Sequence, residues 1–181
     1  MPKKRGQNAA KSGAYGEDVF QGLLEAANFP VIPWNKYDKE TTPVAVSQYP
    51  VPHPFRPDTN RTGRNDFFLF TGAQKVYCQV KNQNGGGTTD EKIAFTFDIA
   101  RYALSDRPFD LYLLILLGMW WPQKPGIIKY AKRKCREFEM LADGIRLPVK
   151  AQVLVGPKEA GVWVREMPVV AKHGGLFSTD A

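Results

Sequence analysis

Asp66, Gln79 and Lys81 are the residues whose types and spacing most directly suggest chemistry. They lie on two segments that read as strands, Asp66 to Phe70 and Lys75 to Lys81, joined by Thr71-Gly72-Ala73-Gln74. If that turn sets Phe70 against Lys75, partner numbers across the ladder sum to 145 and Asp66 falls opposite Gln79. Directly opposed side chains share a face, with Cβ atoms about 5 Å apart. Lys81 projects from the same face, about 7 Å further along the strand. A carboxylate, an amide oxygen and an ammonium then converge, while Val76, Cys78 and Val80 take the other side. A bulge would shift this pairing. Carboxylate and carbonyl oxygens are hard ligands for Mg²⁺, with Mn²⁺ as a substitute, and such an ion keeps positions for water and a substrate phosphate. The ion would acidify a bound water and offset charge on the phosphate, and the lysine would orient that water or stabilise the same charge. Such a set of groups has a clear use in phosphodiester hydrolysis. The same pattern also fits the wet face of a strand, with Asp66 merely at its end.

Several elements must position these groups. Phe20, Leu23, Leu24 and Ala27 recur at helical spacing, predicting a helix from Ala14 to Asn28 with Ser12 as its cap. Glu17 lies three and seven residues before Phe20 and Leu24, on or beside the inward stripe, where a carboxylate needs a partner. A short strand is expected near Phe29 to Trp34. Residues 35–64 hold Pro43, Pro50, Pro52, Pro54 and Pro57, followed by Arg56, Arg61 and Arg64. That stretch reads as an irregular insertion, too proline-dense for a central strand or a helix, either a flap over a ligand or a long surface loop.

Beyond the hairpin, Asn84-Gly85-Gly86-Gly87 breaks the pattern, and Thr88 with Glu91 has capping-box spacing for a helix running to about Leu104. A glycine-rich turn at a helix N-terminus suits a phosphate, with Gln83 and Lys92 as secondary contacts, although such a turn needs no ligand. Asp110 to Leu117 reads as a second buried strand, and Trp120 and Trp121 as core or loop anchors in preference to base-stacking or dimer-contact residues. Ile127 to Leu141 is an amphipathic helix with Ile128, Ala131, Cys135 and Phe138 inward and Lys129, Lys132, Arg133 and Arg136 on another side. A strand near Ala151 to Val155 and a helix or strand at Ala160 to Glu166 complete an α/β sandwich. The expected organisation is a disordered basic arm over 1–12, one domain over 13–170 and a flexible tail over 171–181.

Composition narrows the classes. The 181 residues are of single-domain size, and 43% hydrophobic with 24% charged is the balance of a globular protein. No run reaches the roughly 18 apolar residues of a membrane span, and the basic N-terminus lacks the apolar block of a signal peptide. Cys78 and Cys135 both fall on apolar faces, which suits free buried thiols in a reduced cytoplasm. With only His53 and His173, zinc has too few ligands. The net charge is +7, concentrated in Lys3, Lys4, Arg5 and Lys11 and again in Lys129, Lys132, Arg133, Lys134 and Arg136. Such patches suit a polyanion, or are a solvated surface.

Gly16-Glu17 on a helix, Asp66 leading an apolar strand and Gln79-Val80-Lys81 ending the next together resemble the PD-(D/E)XK nuclease superfamily, which includes type II restriction enzymes and archaeal-type Holliday junction resolvases. The resemblance covers roughly Ala14 to Val155. It implies a restriction-endonuclease-like core: a mixed central sheet, flanked by helices, with a β-hairpin carrying the site. It further implies that Asp66 is the metal-binding aspartate, Gln79 the second acidic position, Lys81 the lysine and Glu17 the helix glutamate of the resolvase-like branch, with metal held by Asp66, Gln79 and Glu17. Asn65 stands at a variable position where the motif name has proline, and Gln79, a neutral amide, binds Mg²⁺ less strongly than a carboxylate. Pro57-Asp58 spells the motif literally but lacks the strand context, so Asp66 is preferred.

DNA contacts are expected from Lys3, Lys4, Arg5, Arg61, Arg64, Gln83, Lys92, Lys132, Arg133 and Arg136. The implied activity is a Mg²⁺-dependent endonuclease on double-stranded or branched DNA, resolvase-like, with no small-molecule cofactor. A homodimer is expected because two cuts need two centres, and the setting is the cytoplasm of a prokaryotic or phage-infected cell. The alternatives are a sequence-specific type II restriction enzyme and, in another class, a catalytically weak or silent DNA-binding protein on the same fold.

Overall fold

Leu111–Leu117 (β5) is seven apolar residues in a row, all buried, as expected of a strand covered on both faces. In the computed structural model, which describes residues 5–39, 42–51, 63–84, 89–144 and 147–169, this strand belongs to a six-stranded sheet. The strands follow chain order: Val31–Pro33 (β1), Val44–Val51 (β2), Gly63–Phe70 (β3), Lys75–Asn82 (β4), β5 and Lys150–Val155 (β6). The sheet is mixed, because β2–β3 and β3–β4 run antiparallel while β1–β2, β4–β5 and β5–β6 run parallel.

Helices cover both faces. Arg5–Ala26 (α1) and Gly156–Glu166 (α4) bury Phe20, Leu24, Ala160 and Val164 against Phe67, Leu69, Val76, Cys78 and Ile115. Thr89–Asp106 (α2) and Pro125–Gly144 (α3) bury Ile93, Phe97, Ala131, Cys135 and Phe138 against Phe68, Tyr77, Tyr112 and Leu114. In β4, Val76, Cys78 and Val80 lie in the α1/α4 core and Tyr77 in the α2/α3 core, the alternation expected of a strand with two distinct faces. No described helix is long and apolar enough to cross a membrane.

Three expectations are corrected. The first helix starts at Arg5, so residues 5–12 are helix, not arm, and Ser12 lies inside it. Ala9, Ala10 and Lys11 are good helix formers and let the helix propagate backward. The proline-rich stretch contains β2, an interior strand between β1 and β3. Pro50, the one proline of β2, is tolerated because β1 pairs only with Ala45–Ser47, so there the strand is itself the sheet edge and a missing N–H interrupts nothing on that side. Ile128 is only partly buried, and Ala142 joins Ala131, Cys135 and Phe138 as the buried stripe of α3.

Candidate active site

β3 and β4 pair from Phe70↔Lys75 to Phe67↔Cys78, the register that the four-residue turn predicts. The paired stretch stops one residue short of Asp66. Where two strands part, backbone donors lose their cross-strand acceptors, and the Asp66 carboxylate supplies one: Oδ2 accepts from the Val80 N–H at 2.7 Å.

The alternation of faces slips at the same level. Val44 and Val46 lie in the α2/α3 core, and so do Tyr49 and Val51, so odd and even positions of β2 exchange faces between Val46 and Tyr49. Gln48 absorbs the exchange with φ +55°, the left-handed region that non-glycine residues rarely adopt. Partner numbers between β2 and β3 sum to 114, which sets Gln48 across from Asp66, although pairing passes from Ser47↔Phe67 to Tyr49↔Asn65. Asn65, paired with Tyr49, takes the place beside Gln79 that strict alternation assigns to Asp66, and its Oδ1 accepts from Gln79 Nε2 at 2.8 Å. The expectation of Asp66 directly opposite Gln79 is therefore corrected, and the two meet through Lys81.

Lys81 Nζ donates to Gln79 Oε1 at 2.8 Å, to the Val80 carbonyl at 3.1 Å and to Asp66 Oδ2 at 3.4 Å. The side chains of Lys81 and Asp66 are 26% and 14% exposed, so the pair lies at an accessible fork, not in a sealed core. Gln79 itself is buried.

Glu17 approaches from α1. A Cβ on Gly16 would stand 2.5 Å from Asn82 Cβ, so only glycine lets the helix lie this close to β4. Gln48 Nε2 donates to Glu17 Oε2 at 2.8 Å. Partial burial raises the Glu17 carboxyl above its ordinary range and the charge of Asp66 adds to this, while Lys81 and the Gln48 hydrogen bond oppose it. The Lys81 ammonium thus touches the Asp66 carboxylate and the Gln79 amide oxygen, with the Glu17 carboxyl near enough to sense its charge, and the three side chains offer hard oxygen donors of the kind that Mg²⁺ or Mn²⁺ takes. Among the described residues no three His, Cys, Asp or Glu side chains form a metal group, so an ion here would rest on Asp66 and Glu17 with Gln79 Oε1 as a neutral third ligand. Both thiols are unsuited to nucleophilic chemistry: burial drives Cys78 well above the usual range and Cys135 up to about 12.

The rim beyond Lys81 is tied down. Trp121 Nε1 donates to the Leu117 carbonyl at 2.7 Å and to the Lys81 carbonyl at 3.2 Å, and Gln83 N–H donates to the Leu117 carbonyl at 2.9 Å. Gly118, at φ +99°, packs on the Gln83 carbonyl with no room for a Cβ. Trp121 is the loop anchor its position suggests, buried and bonded to the strand that carries Lys81.

The expected DNA contacts are scattered. Lys92 is exposed at the start of α2, and Gln83 lies one residue past β4. Lys132, Arg133 and Arg136 are exposed on α3, which packs on β6, two strand spacings or about 10 Å from β4. Arg133 pairs with Glu137 at 3.4 Å and lies over Tyr130, which spends part of the basic flank locally. The backbones of Arg5 and Arg64 lie in α1 and β3, while their side chains, together with Lys3, Lys4, Arg61, Pro57-Asp58, the Gly85–Gly87 turn with Thr88, and the 171–181 tail, fall outside the described residues. A cavity of about 390 Å³ lined by Tyr37, Tyr49, Phe70 and Lys75 lies at the turn end of the hairpin and holds none of the site residues.

Sequence reasoning missed Asn65 and Gln48. Asn65 carried one readable signal, an amide next to Asp66 able to complement Gln79. Gln48 carried none, because a left-handed φ in a non-glycine residue leaves no compositional mark. No family model, no curated protein and no solved structure gives a significant match to this chain.

Proposed function

We propose that this chain is a Mg²⁺-dependent endonuclease that hydrolyses phosphodiester bonds in double-stranded or branched DNA, resolvase-like and acting as a homodimer. The observation that carries the reading is the convergence of Lys81 Nζ on Gln79 Oε1 and Asp66 Oδ2, with Glu17 close enough for its carboxyl to feel both charges. The order α1, hairpin β3–β4, α2, β5, α3, β6 supports the restriction-endonuclease-like core, and a net charge of +7 supports a polyanionic substrate.

Asp66, Glu17 and Gln79 would hold the ion, which supplies a more acidic bound water and charge neutralisation at phosphorus. Asp66 keeps its other oxygen, Oδ1, for this role while Oδ2 accepts from Val80. Lys81 holds its ammonium beside Asp66 and Gln79, where it orients the attacking water and stabilises the charge that builds on the phosphate oxygens as a P–O bond forms and the bond to the leaving deoxyribose oxygen breaks. An accessible fork, not a closed pocket, suits a substrate as wide as a duplex.

A second reading, a DNA-binding protein without catalysis, is favoured by one observation: among the described residues no three acidic, His or Cys side chains group as metal ligands here, and Gln79 is neutral. Plasmid and four-way junction, each incubated with Mg²⁺ or EDTA, separate the readings. Mg²⁺-dependent cutting that falls at least about 100-fold in Lys81→Ala supports the enzyme. Binding without cutting of either substrate across Mg²⁺ and Mn²⁺ supports the silent protein. Discrete plasmid fragments mark a restriction enzyme, and symmetric junction nicks a resolvase.

A further inference from the structure

Asn65 is fully buried, and a buried amide must satisfy its donors and its acceptor. Its Nδ2 donates to the Phe67 backbone carbonyl at 2.5 Å, and its Oδ1 accepts from Gln79 Nε2 at 2.8 Å. Gln79 Oε1 in turn accepts from Lys81 Nζ at 2.8 Å. Neither end of this chain has a choice: a backbone carbonyl only accepts, and a lysine ammonium only donates. The polarity of both amides between them is therefore determined by these two end partners alone.

We propose that Asn65 is a positioning residue that turns the Gln79 carbonyl oxygen toward Asp66 and Lys81 and that makes glutamine, not glutamate, the residue required at position 79. The proposal rests on the metal-dependent reading of this site. A glutamate at position 79 would set a carboxylate oxygen against Asn65 Oδ1, two acceptors in buried contact. Asn65 cannot relieve this by flipping, because its Oδ1 would then face the Phe67 carbonyl. Gln79 is thus not a decayed acidic position. It is one half of an amide pair whose other half is Asn65, and the pair delivers an oxygen ligand with the opposite end of the amide held fast.

The test is a double-mutant cycle on the full chain with Asn65→Leu and Gln79→Glu. Mn²⁺ affinity is read by titration calorimetry, and hydrogen exchange of the Gln79 side-chain amide is read by ¹⁵N NMR, its signal assigned from its loss in Gln79→Glu. Asn65→Leu should weaken Mn²⁺ about 10-fold, the usual effect of losing a group that orients a metal ligand, and should remove protection from the Gln79 amide. Gln79→Glu alone should bring no gain in Mn²⁺ affinity despite its added charge, whereas on the Asn65→Leu background the same change should tighten binding. An equal gain on both backgrounds overturns the proposal. If no variant binds Mn²⁺ and DNA is not cut, the nuclease reading falls, and the amide signal then decides the orientation claim: protection that vanishes in Asn65→Leu upholds it, and an unprotected wild-type amide overturns it. Thermal melts of each variant show whether the fold is retained, and Asn65→Gln serves as a second perturbation if Asn65→Leu fails to fold, with the same loss of Mn²⁺ affinity and amide protection expected and wild-type values for both overturning the claim.

Discussion

The Asp66 carboxylate and the Val80 backbone N–H are joined at 2.7 Å at the point where β3 and β4 part. One side chain therefore closes the end of the ladder and also faces Lys81, so its two roles separate under substitution.

Asp66→Asn retains an oxygen for Val80 and should melt within about 2 °C of the wild type, while cutting falls to background. Asp66→Ala removes the acceptor and leaves a backbone donor unpaired in a partly buried position, at a cost of about 1–2 kcal/mol. For a chain of this size that corresponds to roughly 3–6 °C in Tm. Paired thermal melts decide the matter: equal Tm values for the two variants would show that the Val80 bond carries no weight.

Much of this arrangement was legible in the residues. The seven apolar positions of β5 mark a doubly covered strand, and Thr71-Gly72-Ala73-Gln74 sets the register between Phe70 and Lys75. Glu17 was legible from its place beside the Phe20 and Leu24 stripe, since a carboxylate there must be answered by other polar groups. The slip of faces at Gln48 and Asp66 was not legible, because alternation reasoning assumes an unbroken pleat and the break is a backbone angle. β2 was hidden for a different reason: the proline density around it argues against an interior strand, and the shortness of β1 reconciles its own Pro50 with one. Asn65 showed in the sequence only as an amide next to Asp66, and its pairing with Tyr49 is what sets it beside Gln79.

Glu17 should make the metal-free protein less stable as pH rises. Burial first, and Asp66 second, raise its folded pKa above the ordinary 4.5, so the folded state binds a proton that the unfolded chain releases. Its effect is nil well below pH 4.5, where both states are protonated, and stability is lost as pH climbs from 4.5 through the raised value. Glu17→Gln removes that loss, and its amide oxygen still accepts from Gln48. Because the group is partly exposed the gain is small, about 1–2 °C in Tm at pH 7 and none at pH 4. Added Mg²⁺ should stabilise the wild type more than Glu17→Gln, since a bound cation relieves the same repulsion. Melts at pH 4 and pH 7, with and without Mg²⁺, check both signs. An unchanged Tm difference across the four conditions would remove Glu17 from the site.

Gly16 and Gly22 lie on the same helix, and alanine should act oppositely at the two. At Gly22 an added Cβ meets nothing within 4 Å, so Gly22→Ala gains only the helix preference of alanine, up to about 1 kcal/mol. At Gly16 the same gain competes with a Cβ placed 2.5 Å from Asn82 Cβ on β4. Overpacking of this kind costs typically 1–3 kcal/mol, so the clash outweighs the propensity and the net loss is about 1 kcal/mol. Gly22→Ala is therefore expected to raise Tm by roughly 2–4 °C and Gly16→Ala to lower it by a similar amount. Gly16→Ala should also push the first helix off β4 and carry Glu17 with it, so that its Mg²⁺-induced rise in Tm shrinks, whereas Gly22→Ala should show the full wild-type rise. A stabilised Gly16→Ala with an intact Mg²⁺ response would mean that the helix does not need this close approach to seat Glu17.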